Sequence, residues 1–137
     1  MRHKVDGRLF GRPANQRKAL LRNLVASLIE HQRIETTLPR AKEAKRIAER
    51  LVSLAVKGDL ASRRLAQTYL PNKELISHLF KEIGPRFTGR NGGYLRIVRT
   101  RRRVNDRAEL AVLEFVDYED IMKKHEEKKE SKSEEKK

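Results

Sequence analysis

Residues 15–37 read N-Q-R-K-A-L-L-R-N-L-V-A-S-L-I-E-H-Q-R-I-E-T-T, and they contain two different hydrophobic periodicities from which the fold is predicted. Residues 32–37 place Ile34 and Thr36 on one side and Arg33 and Glu35 on the other, which is typical of a short strand. From about Asn15, apolar residues recur at the spacing of one helix face, which predicts a helix whose stripe packs into the core. The residues of that stripe are Leu20, Leu21, Leu24, Val25, Leu28 and Ile29.

The sequence after this strand predicts three further helices, each marked by a capping residue before it and by a helix breaker after it. The predicted limits are Thr37 (with Pro39 in the first turn) to Gly58, Asp59 to Pro71, and Asn72 to Gly84-Pro85. In the third of these four helices the apolar positions are Leu60, Leu65, Tyr69 and Leu70, and we interpret all the helical stripes as core.

Two later stretches, 94–100 and 110–116, are rich in apolar and β-branched residues and predict an antiparallel pair of strands that 32–37 could join. The predicted fold class is therefore α+β, with three to four helices packed on a small, mostly antiparallel sheet. We expect residues 1–14 to form a basic arm, 15–116 the globular domain and 117–137 a disordered tail rich in lysine and glutamate.

The composition excludes several classes of function. The chain has 137 residues and no cysteine, so it holds no disulfide, thiolate zinc site or thiol nucleophile. Its apolar runs are too short to span a bilayer. The basic residues at its N-terminus are not followed by the apolar segment of a secretory signal, so we predict no such signal. The four histidines are scattered, and the phosphate-loop and dinucleotide motifs are absent. We therefore predict no catalytic site, no metal, no cofactor, no small-molecule substrate and no membrane partner.

The charge indicates a polyanionic partner instead. Lysine and arginine number 33 against 19 acidic residues, a net charge of +14, and the excess lies in two blocks. Residues 1–23 hold seven basic side chains and one acid, and residues 86–107 hold eight arginines and one acid. Arginine binds phosphate through a planar fork of donors. The candidate RNA-binding residues are Arg2, His3, Lys4, Arg8, Arg12, Arg17, Lys18, Arg22, Arg86, Arg90, Arg96, Arg99, Arg101, Arg102 and Arg103.

Other interpretations of these blocks stay open. The arm could be a solubilising tail, and the arginines of 86–107 could protect a sheet edge from aggregation. Phe87 and Tyr94 could stack on splayed bases, although Tyr94 could equally pack on a helix. A DNA-binding, nucleoid-associated protein is the second hypothesis, but the third helix offers only Arg63, Arg64 and Gln67 to read a groove. An RNA-modifying enzyme is a distant third hypothesis.

The order of motifs resembles one known family. The motifs are M-R-H-K (1–4), G-R-P-A-N-Q-R-K-A-L-L-R-N-L-V-A-S-L-I-E-H-Q-R-I-E-T-T-L (11–38), A-K-E-A-K-R-I-A-E-R-L-V-S-L-A (41–55), K-G-D-L (57–60) and R-N-G-G-Y-L-R-I-V-R (90–99). Together they are similar to bacterial large-subunit ribosomal protein seventeen over about residues 1–116. The resemblance implies a cytoplasmic, ribosome-bound structural protein without enzymatic activity. It also implies binding to large-subunit rRNA and neighbouring ribosomal proteins, near the exit of the nascent-chain tunnel, with the N-terminal extension entering the rRNA.

Overall fold

The structure is a computed structural model that describes residues 6–123. Helix α1, Ala14–His31, confirms the predicted apolar stripe. Its last two turns supply the core residues Val25, Leu28 and Ile29, each at most 1% exposed. The helix ends because Gln32 takes a left-handed backbone conformation, with its N–H donating to the carbonyl of Leu28 at 2.7 Å.

The sheet is antiparallel and has three strands: β1 (Arg33–Thr37), β2 (Leu95–Arg102) and β3 (Glu109–Phe115). The order β1-β3-β2 places β3 in the centre, and this confirms that the first predicted strand joins the later pair. Leu113 lies opposite Ile34 on one side and Ile97 on the other, so the three form an apolar row across the sheet. The central position also explains why six of the seven residues of β3 are buried.

Helix α2, Leu38–Lys57, packs against this sheet and against α1. It is buried mainly through small side chains (Ala41, Ala44, Ala48 and Ala55), which allow the neighbouring elements to approach closely. Pro39 lies in its first turn as predicted, whereas Thr37 has the extended backbone of a cap but forms no capping hydrogen bond.

Helix α3, Leu60–Tyr69, begins where predicted, because the Asp59 carboxylate accepts a hydrogen bond from the N–H of Ser62 at 3.0 Å. The predicted core positions Leu60 and Leu65 are wrong, since these side chains are 63% and 59% exposed. The small residues Ser62 and Ala66 face the core instead. Leu65 lines a groove of about 580 Å³ between α2 and α3.

The predicted end of the fourth helix at Gly84-Pro85 is also wrong. After α4, Lys73–His78, the chain stays helical through a π-helical turn, Leu79–Ile83, and a short α5, Gly84–Arg86. The π turn changes the hydrogen-bonding register, so Pro85 stands in the first turn of a new helical segment. A proline is tolerated in that turn because its missing N–H would have no partner there in any case.

The structure also describes the first residues beyond β3, up to residue 123. The chain turns at Val116 and Asp117, and residues 118–123 are helical. The prediction for residues 124–137 lies outside the described residues, as does that for residues 1–5 of the arm. Between residues 6 and 123, no helix combines the length and the apolar character that crossing a membrane requires.

Candidate nucleic-acid interface

The described part of the predicted arm lies along α2. The Asp6 carboxylate accepts two hydrogen bonds from the Arg46 guanidinium, at 2.7 and 2.5 Å, and Arg8 Nε lies 3.6 Å from a Glu43 oxygen. The hydrogen bonds from Arg46 lower the pKa of Asp6 below its ordinary value. These exposed contacts bring the N-terminal block of charge against the middle of the domain.

Arg12, two residues before α1, and the first turns of the helix carry the rest of that block. Arg12 and Lys18 are exposed. The Arg17 guanidinium donates a long hydrogen bond, 3.4 Å, to the carbonyl of Arg12, and the Arg22 guanidinium lies 5.7 Å from the centre of the Tyr69 ring. Both are half-buried, so Lys18 in α1 and Arg12 just before the helix are the most exposed of these four cations.

The β2–β3 hairpin extends beyond the core. In β2 the first three residues are buried or half-buried, and residues 98–102 are exposed. Arg101 and Arg102 form ion pairs of 3.7 Å with Glu35 and Glu109, and 70% or more of each arginine side chain stays accessible. Such exposed pairs are weak, so their arginines can exchange a carboxylate for a phosphate.

Two further arginines of the hairpin, Arg99 and Arg103, are similarly accessible. Arg103 pairs with Asp106 of the same turn at 3.1 Å and remains 46% exposed. Arg99 is exposed and forms no ion pair within residues 6–123. With Arg107, which is exposed in the turn between β2 and β3, the hairpin gathers five accessible guanidinium groups within a few residues of one another.

Arg96 has an internal role, although it belongs to the same predicted set. Its Nε donates to Glu114 at 2.6 Å, and its Nη2 donates to Glu119 at 2.5 Å. Glu114 is 4% exposed and also lies 3.2 Å from Arg33 Nε, so two arginines neutralise one buried carboxylate. These hydrogen bonds raise the pKa of Arg96. The pairing ties all three strands together on one face of the sheet.

Arg86 is internal for a different reason. Its guanidinium lies 5.7 Å from the ring centres of Phe87 and Phe115, donates to Gln32 at 2.9 Å and pairs with Asp117 at 3.1 Å. Burial lowers the pKa of this arginine, against the opposing effect of Asp117. The side chain therefore joins the end of α5 to the turn after β3.

The proposed base-stacking role of Phe87 and Tyr94 is wrong: Tyr94 is a buried aromatic, as the alternative held, but it precedes β2 and packs on Phe87, which follows α5. Both side chains are buried, at 4% and 3% exposure, and their rings meet edge to face at 5.3 Å. Phe87 also stacks on Phe115 at 5.8 Å. The Tyr94 hydroxyl donates to the carbonyl of Arg90 at 3.0 Å, so these aromatics hold the glycine-rich loop and leave Arg90 exposed.

One basic surface escaped the sequence analysis. Residues Lys42, Arg46, Arg50 and Lys57 are all exposed and share one side of α2, opposite its buried alanines. These four residues were missed because residues 24–85, taken together, carry only a modest net charge. Their spacing of four, four and seven residues was the available signal, because such spacing brings side chains to one helix face. Arg2, His3 and Lys4 lie outside the described residues.

With this geometry established, comparison with known proteins identifies the family. The sequence profile of the family described as Ribosomal protein L17 matches residues 20–116, most of the chain.

Relatives named "Large ribosomal subunit protein bL17" are similar over nearly the same region. The protein of Thermodesulfovibrio yellowstonii is 61% identical over 118 residues, which cover 86% of this chain and 89% of the relative. That of Hydrogenobaculum sp. is 52% identical over 118 residues, covering 85% and 100%. That of Bdellovibrio bacteriovorus is 50% identical over 117 residues, covering 85% and 65%. The chain therefore belongs to the ribosomal protein L17 family.

Proposed function

We propose that this protein binds large-subunit rRNA through two surfaces, the basic segment that precedes and begins α1 and the arginine-rich β2–β3 hairpin. Family membership makes the chain a structural component of the ribosome and not an enzyme. The proposal adds which residues make the contact. It also includes neighbouring large-subunit proteins as partners and a position near the nascent-chain tunnel exit, both of which rest on the family resemblance.

The observation that carries the proposal is the division of the arginines into two classes. Arg86 is half-buried in its pair with Asp117. Arg96, although 38% of its side chain is exposed, pairs closely with the buried Glu114, so removing either arginine would destabilise the fold. The arginines at the far end of the hairpin project past the core and form only long or exposed pairs. A protein that needed arginine only for stability would have little use for the second class, whereas phosphate binding requires accessible guanidinium groups.

The positions of the charges favour RNA over duplex DNA. The DNA hypothesis requires a recognition helix, and α3 was its candidate. Arg63 is one of the three side chains of that helix that could read a groove. Its guanidinium lies 5.3 Å from the centre of the Phe80 ring and is thus already in contact with the protein. The accessible arginines of the two proposed surfaces lie on a hairpin and on a segment without regular structure instead. Irregular and β-hairpin extensions suit a folded RNA, which proteins recognise largely by shape and backbone.

The salt dependence of binding tests the proposal. About ten accessible basic residues belong to the two surfaces, so log K for in vitro transcribed large-subunit rRNA should fall with log salt at a slope of roughly −7 to −9. The double variant Arg99→Gln/Arg101→Gln should make that slope shallower by about 1.4–1.8. A matched control, Lys73→Gln/Lys81→Gln, removes two exposed charges from the α4 region and should leave the slope unchanged.

Three results would contradict the proposal. These are a wild-type slope near −2, equal effects of the two double variants, and equal affinity for duplex DNA at matched salt. Sedimentation gives an independent check in cells. After a high-salt wash the chain should migrate with the large subunit on a density gradient, and migration as free protein or with DNA would refute the ribosomal assignment.

A further inference from the structure

We infer that the exposed face of α2, formed by Lys42, Arg46, Arg50 and Lys57, is a third surface for the RNA backbone, next to the N-terminal segment. The inference rests on the proposed function and extends it to a surface that the charge blocks of the sequence did not include. In this arrangement the Asp6 carboxylate occupies, at Arg46, the position that a phosphate takes in the complex.

The first support is that three of the four cations on this face, Lys42, Arg50 and Lys57, have no acidic partner within residues 6–123, whereas Arg46 pairs with Asp6 and Glu43. The exposed positions of the face are the four basic residues and Ser53. The acids of the helix lie to either side and are already paired: Glu43 with Arg8 and Arg46, and Glu49 with Lys45. The face is therefore a line of cations that the protein itself leaves largely uncompensated.

The geometry of that line suits an extended polyanion. Fifteen helical residues separate Lys42 from Lys57, about 22 Å at 1.5 Å per residue, and Arg46 and Arg50 are separated by one helical turn. None of the exposed positions on this face is apolar, although Arg46 and Arg50 also border the groove between α2 and α3. Protein interfaces are depleted of lysine and have apolar centres, so a partner protein is a poor match for this surface.

The second support is the contact between Asp6 and Arg46. The guanidinium already binds an oxyanion through two parallel N–H···O hydrogen bonds, which is the arrangement that arginine uses for phosphate. Asp6 is the single acid among residues 1–23. Since both groups are exposed, water screens their attraction, and a polyanion that brings several phosphates at once can replace the single carboxylate.

The test compares two surfaces in one binding assay. Lys42→Gln/Arg50→Gln removes two charges that form no ion pair within the described residues, so its melting temperature should match that of the wild type. With in vitro transcribed large-subunit rRNA, its salt slope should be shallower by about 1.4–1.8. Taking counterion release as the whole contribution, its affinity at 0.15 M salt should fall roughly 15- to 30-fold. Lys73→Gln/Lys81→Gln serves again as the charge-matched control.

A second variant tests the role of Asp6. Asp6→Asn removes the competing carboxylate, so rRNA binding should tighten and the slope should steepen by about 0.7–0.9, the value of one additional phosphate contact. Weaker binding by Asp6→Asn would show that the carboxylate positions the segment and does not compete with phosphate. That result would overturn this part of the inference.

The outcomes separate this inference from the proposed function. If the α2 variant behaves like the control while Arg99→Gln/Arg101→Gln weakens binding, the third surface is wrong and the two proposed surfaces stand. If the wild-type protein shows no preference for rRNA over duplex DNA, the proposed function fails first. Loss of folding in the α2 variant would overturn the premise that these side chains are free of structural contacts.

Discussion

Replacing Gly84 by alanine tests how closely α5 approaches α2. Gly84 has ordinary right-handed helical angles, φ −52° and ψ −53°, so its conformation does not require glycine. A Cβ at this position would lie 2.8 Å from the carbonyl oxygen of Ala55 and 3.2 Å from its Cβ. Ordinary contact begins at 3.4 Å, so the two backbones would have to separate by about 0.6 Å (3.4 − 2.8). Glycine is present here because the helices touch.

Two opposing effects set the size of the change. An added methyl group in a packed contact costs about 1–3 kcal/mol, whereas the lower entropy of the unfolded chain and the better helix propensity return about 0.4–1 kcal/mol. We expect Gly84→Ala to lower the free energy of unfolding by about 1–2 kcal/mol. For a chain of this size, that corresponds to a fall in melting temperature of roughly 3–10 °C.

Urea and thermal unfolding followed by circular dichroism measure this difference. Ser53→Ala, on the exposed face of α2, is the control, and it should change the free energy of unfolding by less than about 0.5 kcal/mol. The sign is decisive. If Gly84→Ala is as stable as the wild type or more stable, only the propensity and entropy effects operate, and the close contact between the two helices is refuted.

Three further predictions concern the core, a buried carboxylate and a cap. Leu28→Ala should lower the free energy of unfolding, measured with denaturant, by about 2–5 kcal/mol because the side chain is fully buried. Leu65→Ala should lower it by under about 0.5 kcal/mol because that side chain is exposed. Equal losses would show that the core does not lie where the structure places it. Glu114→Gln should cost about 1–3 kcal/mol, since two arginines lose their anionic partner, and an unchanged melting temperature would contradict this. Hydrogen bonds from Ser62 lower the pKa of Asp59 in the folded protein below its ordinary value of 3.8. The ionised Asp59 carboxylate therefore stabilises the fold above pH 3.8, and this stabilisation is lost as the pH falls through the folded-state pKa. In Asp59→Asn the free energy of unfolding should therefore fall less steeply as the pH is lowered below 3.8. A fall identical to that of the wild type would contradict a capping role for the Asp59 carboxylate.

Local signals were sufficient for most of the secondary structure. The stripe of α1, the capping residues Asp59 and Asn72, and the C-terminal Gly58 of α2 act within one or two turns of chain, so their chemistry is visible in the sequence. Wrong predictions came where packing overrides a local rule. Leu65 satisfies the helical pattern but faces solvent, because the small residues of α3 make the contact with the rest of the domain.

The candidate interface was visible in the sequence only as blocks of charge. Counting arginines located the hairpin and the N-terminal segment, because charge density is a local property. It missed the basic face of α2, where the acids between the cations in sequence lower the net charge, although the helix places those acids to either side of the exposed line.

The sequence by itself determined the α+β class and the main elements and indicated an anionic partner, since these follow from local pattern and composition, and the order of its motifs indicated the family. Tertiary structure decided which arginines are available to that partner. Arg96 meets Glu114 because the antiparallel register of β2 and β3 places these two residues side by side, although they are 18 residues apart in the sequence. Arg86 meets Asp117 because the turn after β3 brings the chain back to α5. A side chain's charge is fixed by its chemistry, whereas its freedom to bind depends on what folding brings within reach.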